Sequence, residues 1–351
     1  MRGAELLVKC LEAEGVSRIF GIPGEENVDI MDALIDSKIK FVLTKHETSA
    51  AFMANACARL TMKPQVCLST LGPGATNMLT GVADAFLSYF PLVAITGQAG
   101  AERAYEPQKQ YLDLVQLYRP ITKDSFSVRT TSRIPVQVRR AFDLATSERP
   151  GPVHMELPED VMKQEAKGEP LKKGAMHHLR TEAVGIESVH EILASARKPL
   201  VFAGAGVLRA NAVNRLQRFV HRWNIPIVHS WYGAGMISYE DELSLNTVGL
   251  RSSDFVRLVF DEADAIFLVG IDLAEFAPAF WNVGAPKSIV HIGALPTESV
   301  PNYVPDIQLI GDIGSILDRL SVDPKQRRNW ATQFREDLNR CIERCPMDES
   351  P

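Results

Sequence analysis

Short β-branched runs recurring between stretches of helical periodicity constrain this chain more than any other feature. They are Arg18-Ile19-Phe20, Lys40-Phe41-Val42-Leu43, Gln65-Val66-Cys67-Leu68-Ser69, Leu92-Val93-Ala94-Ile95-Thr96 and Pro152-Val153-His154-Met155-Glu156. Strands that alternate with helices must be joined by crossovers, which predicts a mainly parallel sheet covered on both faces. A second alternation begins near residue 185. It reads as helix Ile186 to Ala196, strand Leu200 to Ala203, helix Asn211 to Trp223, strands Ile225 to Val228, Ala265 to Val269 and Ser288 to Ile292, and helix Ile313 to Leu320. With 351 residues, two cores are expected. The fold class is therefore α/β, with two parallel-sheet, three-layer domains, the second Rossmann-like. Their bounds are 1–165 and 185–322, with a polar linker at 166–184 and a charged helix within 323–351.

Composition excludes several classes. Hydrophobic residues make up 46% and charged residues 23%, as in a globular protein, and a net charge of −5 gives no electrostatic reason for nucleic acid or an anionic membrane as partner. The N-terminus reads as an amphipathic helix with acids inside it, not a secretion signal, and no segment reaches the length of a membrane span. Five scattered cysteines, with Cys10, Cys57 and Cys67 in segments that read as buried, argue against a disulfide framework and for a reducing cytoplasm. Cys341 and Cys345, or His177 and His178, lack the further ligands a metal site needs. Gly204-Ala205-Gly206 has the first two glycines of a dinucleotide loop, but Arg209 stands in the third position, and a tight strand-to-helix turn accounts for it as well.

Ligands on parallel sheets sit at the carboxyl ends of strands, where Gly21-Ile22-Pro23-Gly24, Glu47 and the run Thr70 to Asn77 all fall. Glu47, at a strand-to-helix corner, reads either as a first-turn acid stabilised by the helix dipole or as a proton-handling group in a cleft. Gly72 and Gly74 permit close approach of backbone to a ligand, while Thr76 and Asn77 can cap the next helix or face the cleft.

These segments, together with Gly24-Glu25-Glu26-Asn27, Ala94-Ile95-Thr96-Gly97-Gln98, Pro120-Ile121-Thr122-Lys123 and Gly151-Pro152-Val153-His154-Met155-Glu156-Leu157-Pro158, resemble the large subunit of acetolactate synthase. That family uses thiamine diphosphate to decarboxylate a 2-oxo acid and ligate the product. The resemblance covers nearly the whole chain and implies that the first domain binds the cofactor's pyrimidine. Glu47 is then the glutamate whose carboxyl meets pyrimidine N1′ and promotes loss of the thiazolium C2 proton. Pro23, Gly24, Thr70, Gly72, Pro73, Gly74 and Asn77 become cofactor-side residues. Gln110 matches an active-site glutamine near the substrate; Lys109 stands where many relatives have histidine, and Thr48 where glutamine is common. A basic Lys109 suits an anionic 2-oxo acid such as pyruvate.

Leu268 to Pro278, Phe280-Trp281-Asn282 and Tyr303 to Ile313 resemble the catabolic, FAD-independent branch, so no flavin is expected. The family's Gly-Asp-Gly and downstream asparagine are not found; Gly311-Asp312-Ile313 lacks the second glycine. The expectation is a chain without its own metal site, whose helix within 323–351 leads toward a diphosphate- and Mg²⁺-binding domain that is absent. Alone it should bind the cofactor weakly and not turn over, and it should be partnered by a homo-oligomer or a complementary C-terminal chain. Another thiamine-dependent 2-oxo acid decarboxylase or carboligase, or a degenerate non-catalytic subunit, remain as alternatives.

Overall fold

A computed structural model describes residues 1–103, 110–171, 185–249, 254–297, 300–322, 324 and 327–344. It divides into two units, Met1–Met176 and His177–Pro351. In the first, β1 (Arg18–Gly21), β2 (Lys40–Leu43), β3 (Gln65–Ser69), β4 (Leu92–Gln98), β5 (Asp124–Ser127) and β6 (Pro152–Pro158) form one sheet in the order β2-β1-β3-β4-β6-β5. Every pairing in it is parallel. The sequence reading lacks β5, whose Asp-Ser-Phe-Ser composition carries one apolar residue and which pairs only with β6 at the sheet edge.

Alternation along the strands sorts side chains between two faces. Val93, Ile95, Val153, Met155 and Leu157 join the helices Gly3–Ala13, Val28–Ile35 and Ile134–Thr146 in one core. Leu92 and Ala94 lie on the other face with the helices Glu47–Thr61, Pro73–Leu87 and Leu114–Tyr118. The order reverses between β1 and β3, and that crevice is where open α/β sheets receive ligands.

The second unit contains β7 (Pro199–Ala203), β8 (Ile227–Ser230), β9 (Ser244–Val248), β10 (Ala265–Val269), β11 (Ser288–Gly293) and β12 (Ile307–Ile310), ordered β12-β11-β10-β7-β8-β9 and again all parallel. This is the strand order of a Rossmann sheet. The strand expected from Ile225 starts at Ile227, because Pro226 has no N–H to give the ladder. The sequence reading omits β9 and β12: Asn246 has positive φ within β9, whose pairing with β8 is irregular, and β12 is a four-residue edge strand. The charged helix expected from Pro324 is found at Thr332–Arg344, where Leu338 is buried and Phe334 stacks on Phe255 at 5.1 Å, against the second face of this sheet.

The Gly204-Ala205-Gly206 turn has a packing reason. A Cβ on Gly206 would lie 2.7 Å from both the Cα and the carbonyl oxygen of Gly270, which itself has φ of 62°. Backbone meets backbone there, so Gly206→Val should destabilise the second unit by about 3 kcal/mol. Trp223, Trp231, Trp281 and Trp330 all belong to that unit, so tryptophan fluorescence in urea reads it directly. An unchanged midpoint would show that the two turns can separate.

Burial raises the thiols of Cys10 to about 11 and Cys67 to about 12. Cys57 is only half-buried and Cys341 is exposed. Cys345, His177 and His178 lie outside the described residues. Among the described residues no helix is long and apolar enough to cross a membrane.

Candidate active site

The turn after β1 carries Pro23 and Gly24, the turn after β3 carries Thr70 to Gly74, and β2 leads to Glu47. All three reach the crevice between β1 and β3. Glu47 opens its helix after His46, whose Nδ1 accepts from Thr48 N at 3.2 Å and caps the end. Glu47 as a residue is 9% exposed. Asn77 Nδ2 donates to its Oε2 at 3.0 Å, and Thr48 Oγ1 donates to the Asn77 carbonyl at 2.5 Å. Thr48 thus ties together the first turns of the two helices that hold the acid. Glu47 Oε1 has no hydrogen-bond donor among the described residues and lies 3.3 Å from where a Cβ on Gly74 would stand.

Thr70 fills the space between Gly24 and Gly74: a Cβ on either would meet its side chain at 2.5 and 2.9 Å respectively. Its hydroxyl donates to Glu26 Oε2 at 2.5 Å, and Gly24 N donates to Asn27 Oδ1 at 2.8 Å. Glu26 also faces Arg103, at 3.9 Å. Gly72 has φ of 57°, and a Cβ there would sit 2.6 Å from the Cβ and carbonyl oxygen of Gln110. Only a bare backbone lets Gln110 approach this turn. Gln110, itself at φ of 73°, is therefore brought to the same corner as Glu47, Gly72, Pro73 and Gly74. Lys109 lies outside the described residues.

Behind the corner lies a set of polar groups that sequence reasoning did not assign. Fully buried His154 stacks on Tyr118 with ring centroids 4.0 Å apart, and Tyr118 donates its hydroxyl proton to the carbonyl of Ala75 at 2.6 Å. Ser125 Oγ donates to Val115 O at 2.8 Å, so it accepts from His154 Nδ1–H at 2.8 Å. His154 Nε2 then accepts from Thr96 Oγ1 at 2.9 Å. Burial drives this imidazole down to about 3, and it is neutral. On the same face of the sheet, Glu156 accepts from Gln98 Nε2 at 3.0 Å, and burial raises its carboxyl above the ordinary range. The signal in the sequence is the polar pairs Thr96/Gln98 and His154/Glu156, two residues apart inside otherwise apolar strands.

The chain matches two family models. One, described as the thiamine pyrophosphate enzyme N-terminal TPP binding domain, covers residues 1–117, and the other, the thiamine pyrophosphate enzyme central domain, covers residues 186–320. This chain belongs to the thiamine pyrophosphate enzymes. The first model contains every corner residue from Pro23 to Gln110, and the second coincides with the Rossmann-ordered sheet.

Among its relatives in the family, the chain is 33% identical to the probable acetolactate synthase large subunit of Methanocaldococcus jannaschii, over 100% of this chain and 62% of the relative. It is also 33% identical to the acetolactate synthase of Bacillus subtilis, over 92% of this chain and 57% of the relative. The catabolic acetolactate synthase of Raoultella terrigena matches at 33% over 91% and 57%. The chain thus spans about 60% of the length of the curated relatives it matches.

Two observations suit the pyrimidine end of thiamine diphosphate. Glu47 is a nearly buried acid whose Oε1 takes no donor among the described residues, and Gly74 brings bare backbone to the side of that oxygen. The residues present fit the group.

Proposed function

We propose that this chain forms the pyrimidine-binding and central portions of a thiamine diphosphate-dependent enzyme that decarboxylates pyruvate and ligates the product to give acetolactate. The observation that carries the reading is Glu47, a nearly buried acid with one oxygen fixed by Asn77 and the other turned to the glycine-lined corner. When bound, thiamine diphosphate supplies a carbon nucleophile and an electron sink for the loss of carbon dioxide. Glu47 holds and exchanges a proton at Oε1, while Asn77 and Thr48 fix its direction. Pro23, Gly24, Thr70, Gly72, Pro73 and Gly74 shape the corner beside that proton. Gln110, with Lys109 beside it in sequence, is placed toward the carboxylate of the 2-oxo acid.

Mg²⁺ and the diphosphate are assigned to a portion beyond the two domains matched here, on this polypeptide or another. A flavin is not expected. At the carboxyl ends of β7 and β10, where a Rossmann sheet would receive a dinucleotide, the backbone donors of Ala205 and Asp272 already bond Glu275, at 3.2 and 3.1 Å. Ser230 donates to the same carboxylate. The protein's own acid thus occupies the donors.

A homo-oligomer is supported by Phe52, Met53, Leu60 and Leu87, which lie on the helices Glu47–Thr61 and Pro73–Leu87 and are 41%, 42%, 86% and 73% exposed. Free, scattered thiols among the described residues agree with a cytoplasmic setting.

The test is to supply the chain, together with its diphosphate-binding portion, with thiamine diphosphate and Mg²⁺ and to compare pyruvate with branched, aromatic and glyoxylate-like 2-oxo acids. Acetolactate from pyruvate is expected. Carbon dioxide without acetolactate, or preference for an aromatic substrate, would overturn the carboligase reading, and a yellow purified protein would overturn the flavin-free one.

A further inference from the structure

Strands β4 and β6 run side by side with Thr96 opposite Glu156, so Thr96, Gln98, His154 and Glu156 project from one face. Thr96 and His154 serve the Tyr118 stack. Gln98 is 3% exposed and spends everything it has: Nε2 gives one proton to Glu156 Oε2 and one to Leu112 O, both at 3.0 Å, and Oε1 accepts from Ala99 N at 3.0 Å. Leu112 lies two residues beyond Gln110.

We infer that Gln98, oriented by Glu156, is a latch that sets the position of the segment carrying Gln110. The segment needs one. Residues 110–113 are all exposed, so apolar burial does not hold them. Gln110 adopts a left-handed backbone that an L-residue leaves when it is free to do so. Among the contacts that oppose that are Gly72 against Gln110, Gln98 to the Leu112 carbonyl, and Asp113 Oδ1 accepting from Gln116 N at 3.0 Å to start the next helix. The Gln98 bond ties the segment to the middle of the sheet. Glu156 is itself buried, with Ser127, Arg129 and Asp113 as its other polar neighbours, and it presents the acceptor that fixes the Gln98 rotamer. Gln98 is thus a positioning residue acting through Gln110. Its link to substrate rests on the function proposed above.

Hydrogen–deuterium exchange on the chain itself tests the latch. Gln98→Met keeps the side chain's bulk and loses both donors, and it should speed exchange of the Gln116 and Leu117 amides, both held by Asp113 at the end of the segment, by on the order of tenfold. Glu156→Gln keeps an acceptor and should leave that exchange as in the parent. Parent-like exchange in a folded Gln98→Met overturns the proposal. Should Gln98→Met fail to fold, the side-chain amide protons of Gln98 in the unaltered protein decide, by glutamine-selective ¹⁵N NMR. Slow exchange of both supports the latch, and exchange at the solvent rate overturns it. In the enzyme supplied with its diphosphate-binding portion, Gln98→Met should raise KM for the 2-oxo acid and leave thiamine diphosphate affinity unmoved, whereas an equal loss of both overturns a positioning role. Faster exchange with an unmoved KM keeps the latch and removes the substrate role of Gln110, so the two readings fail separately.

Discussion

Glu47→Gln is expected to lower turnover of pyruvate by about two to four orders of magnitude in the enzyme supplied with its diphosphate- and Mg²⁺-binding portion. The substitution is nearly isosteric, and a glutamine carbonyl can still accept from Asn77 Nδ2. The Thr48–Asn77 bond that joins the two helix starts does not involve the acid and should persist. What disappears is the group to which the proposed function gives proton exchange at the position of Oε1. Cofactor affinity, measured by calorimetry, should therefore change far less than kcat. A variant retaining turnover within tenfold of the parent would show that the carboxylate is only a first-turn acid at a helix N-terminus, a role worth less than about 1 kcal/mol.

Acid should destabilise the first unit through His154. The imidazole sits at about 3 in the folded chain, against 6.5 as the ordinary value, because burial disfavours its charged form. Between those values the unfolded chain binds a proton that the folded chain refuses. The stability it contributes is complete above 6.5 and is lost as pH falls toward 3, at about 1.4 kcal/mol per unit. Tyr118, Thr96 and Ser125 surround the ring and bring it no charge. Glu156, raised by burial, works in the opposite sense above the ordinary carboxyl value of 4.5, within the same range, so the comparison must be with a variant that removes only the histidine.

His154→Asn forgoes the stack and one buried hydrogen bond, and at neutral pH it should be less stable by about 2 kcal/mol. That gap should close near about pH 5, as the parent loses what the variant never had. Urea unfolding followed by far-ultraviolet circular dichroism would measure it. Tryptophan fluorescence, confined to the second unit, supplies an internal control. A gap that stays constant from neutral pH downward would mean that the folded protein admits the proton.

Some of the site was legible in the residues because it depends on local chemistry. Glu47 at a strand-to-helix corner and the glycines of Gly72-Pro73-Gly74 announce themselves by residue type and spacing, and parallel strands send such turns to one edge of the sheet. Gln110 was legible only through resemblance: nothing local shows that a bare Gly72 would receive it. The row of Thr96, Gln98, His154 and Glu156 was visible as polar residues in apolar strands, but its purpose was not. Partners 58 residues apart become neighbours only when β6 takes its place beside β4.

By itself, then, the sequence determined the two parallel α/β units and the edge on which the acid and the glycine-rich turns gather, since period, strand propensity and turn chemistry act over a few residues. Tertiary structure alone decided which edge strands pair, which backbone donors Glu275 takes at the second sheet, and how Asn77 and Thr48 aim Glu47. Those outcomes depend on side chains brought together from distant positions, where directional hydrogen bonds and burial act only once the sheet has formed.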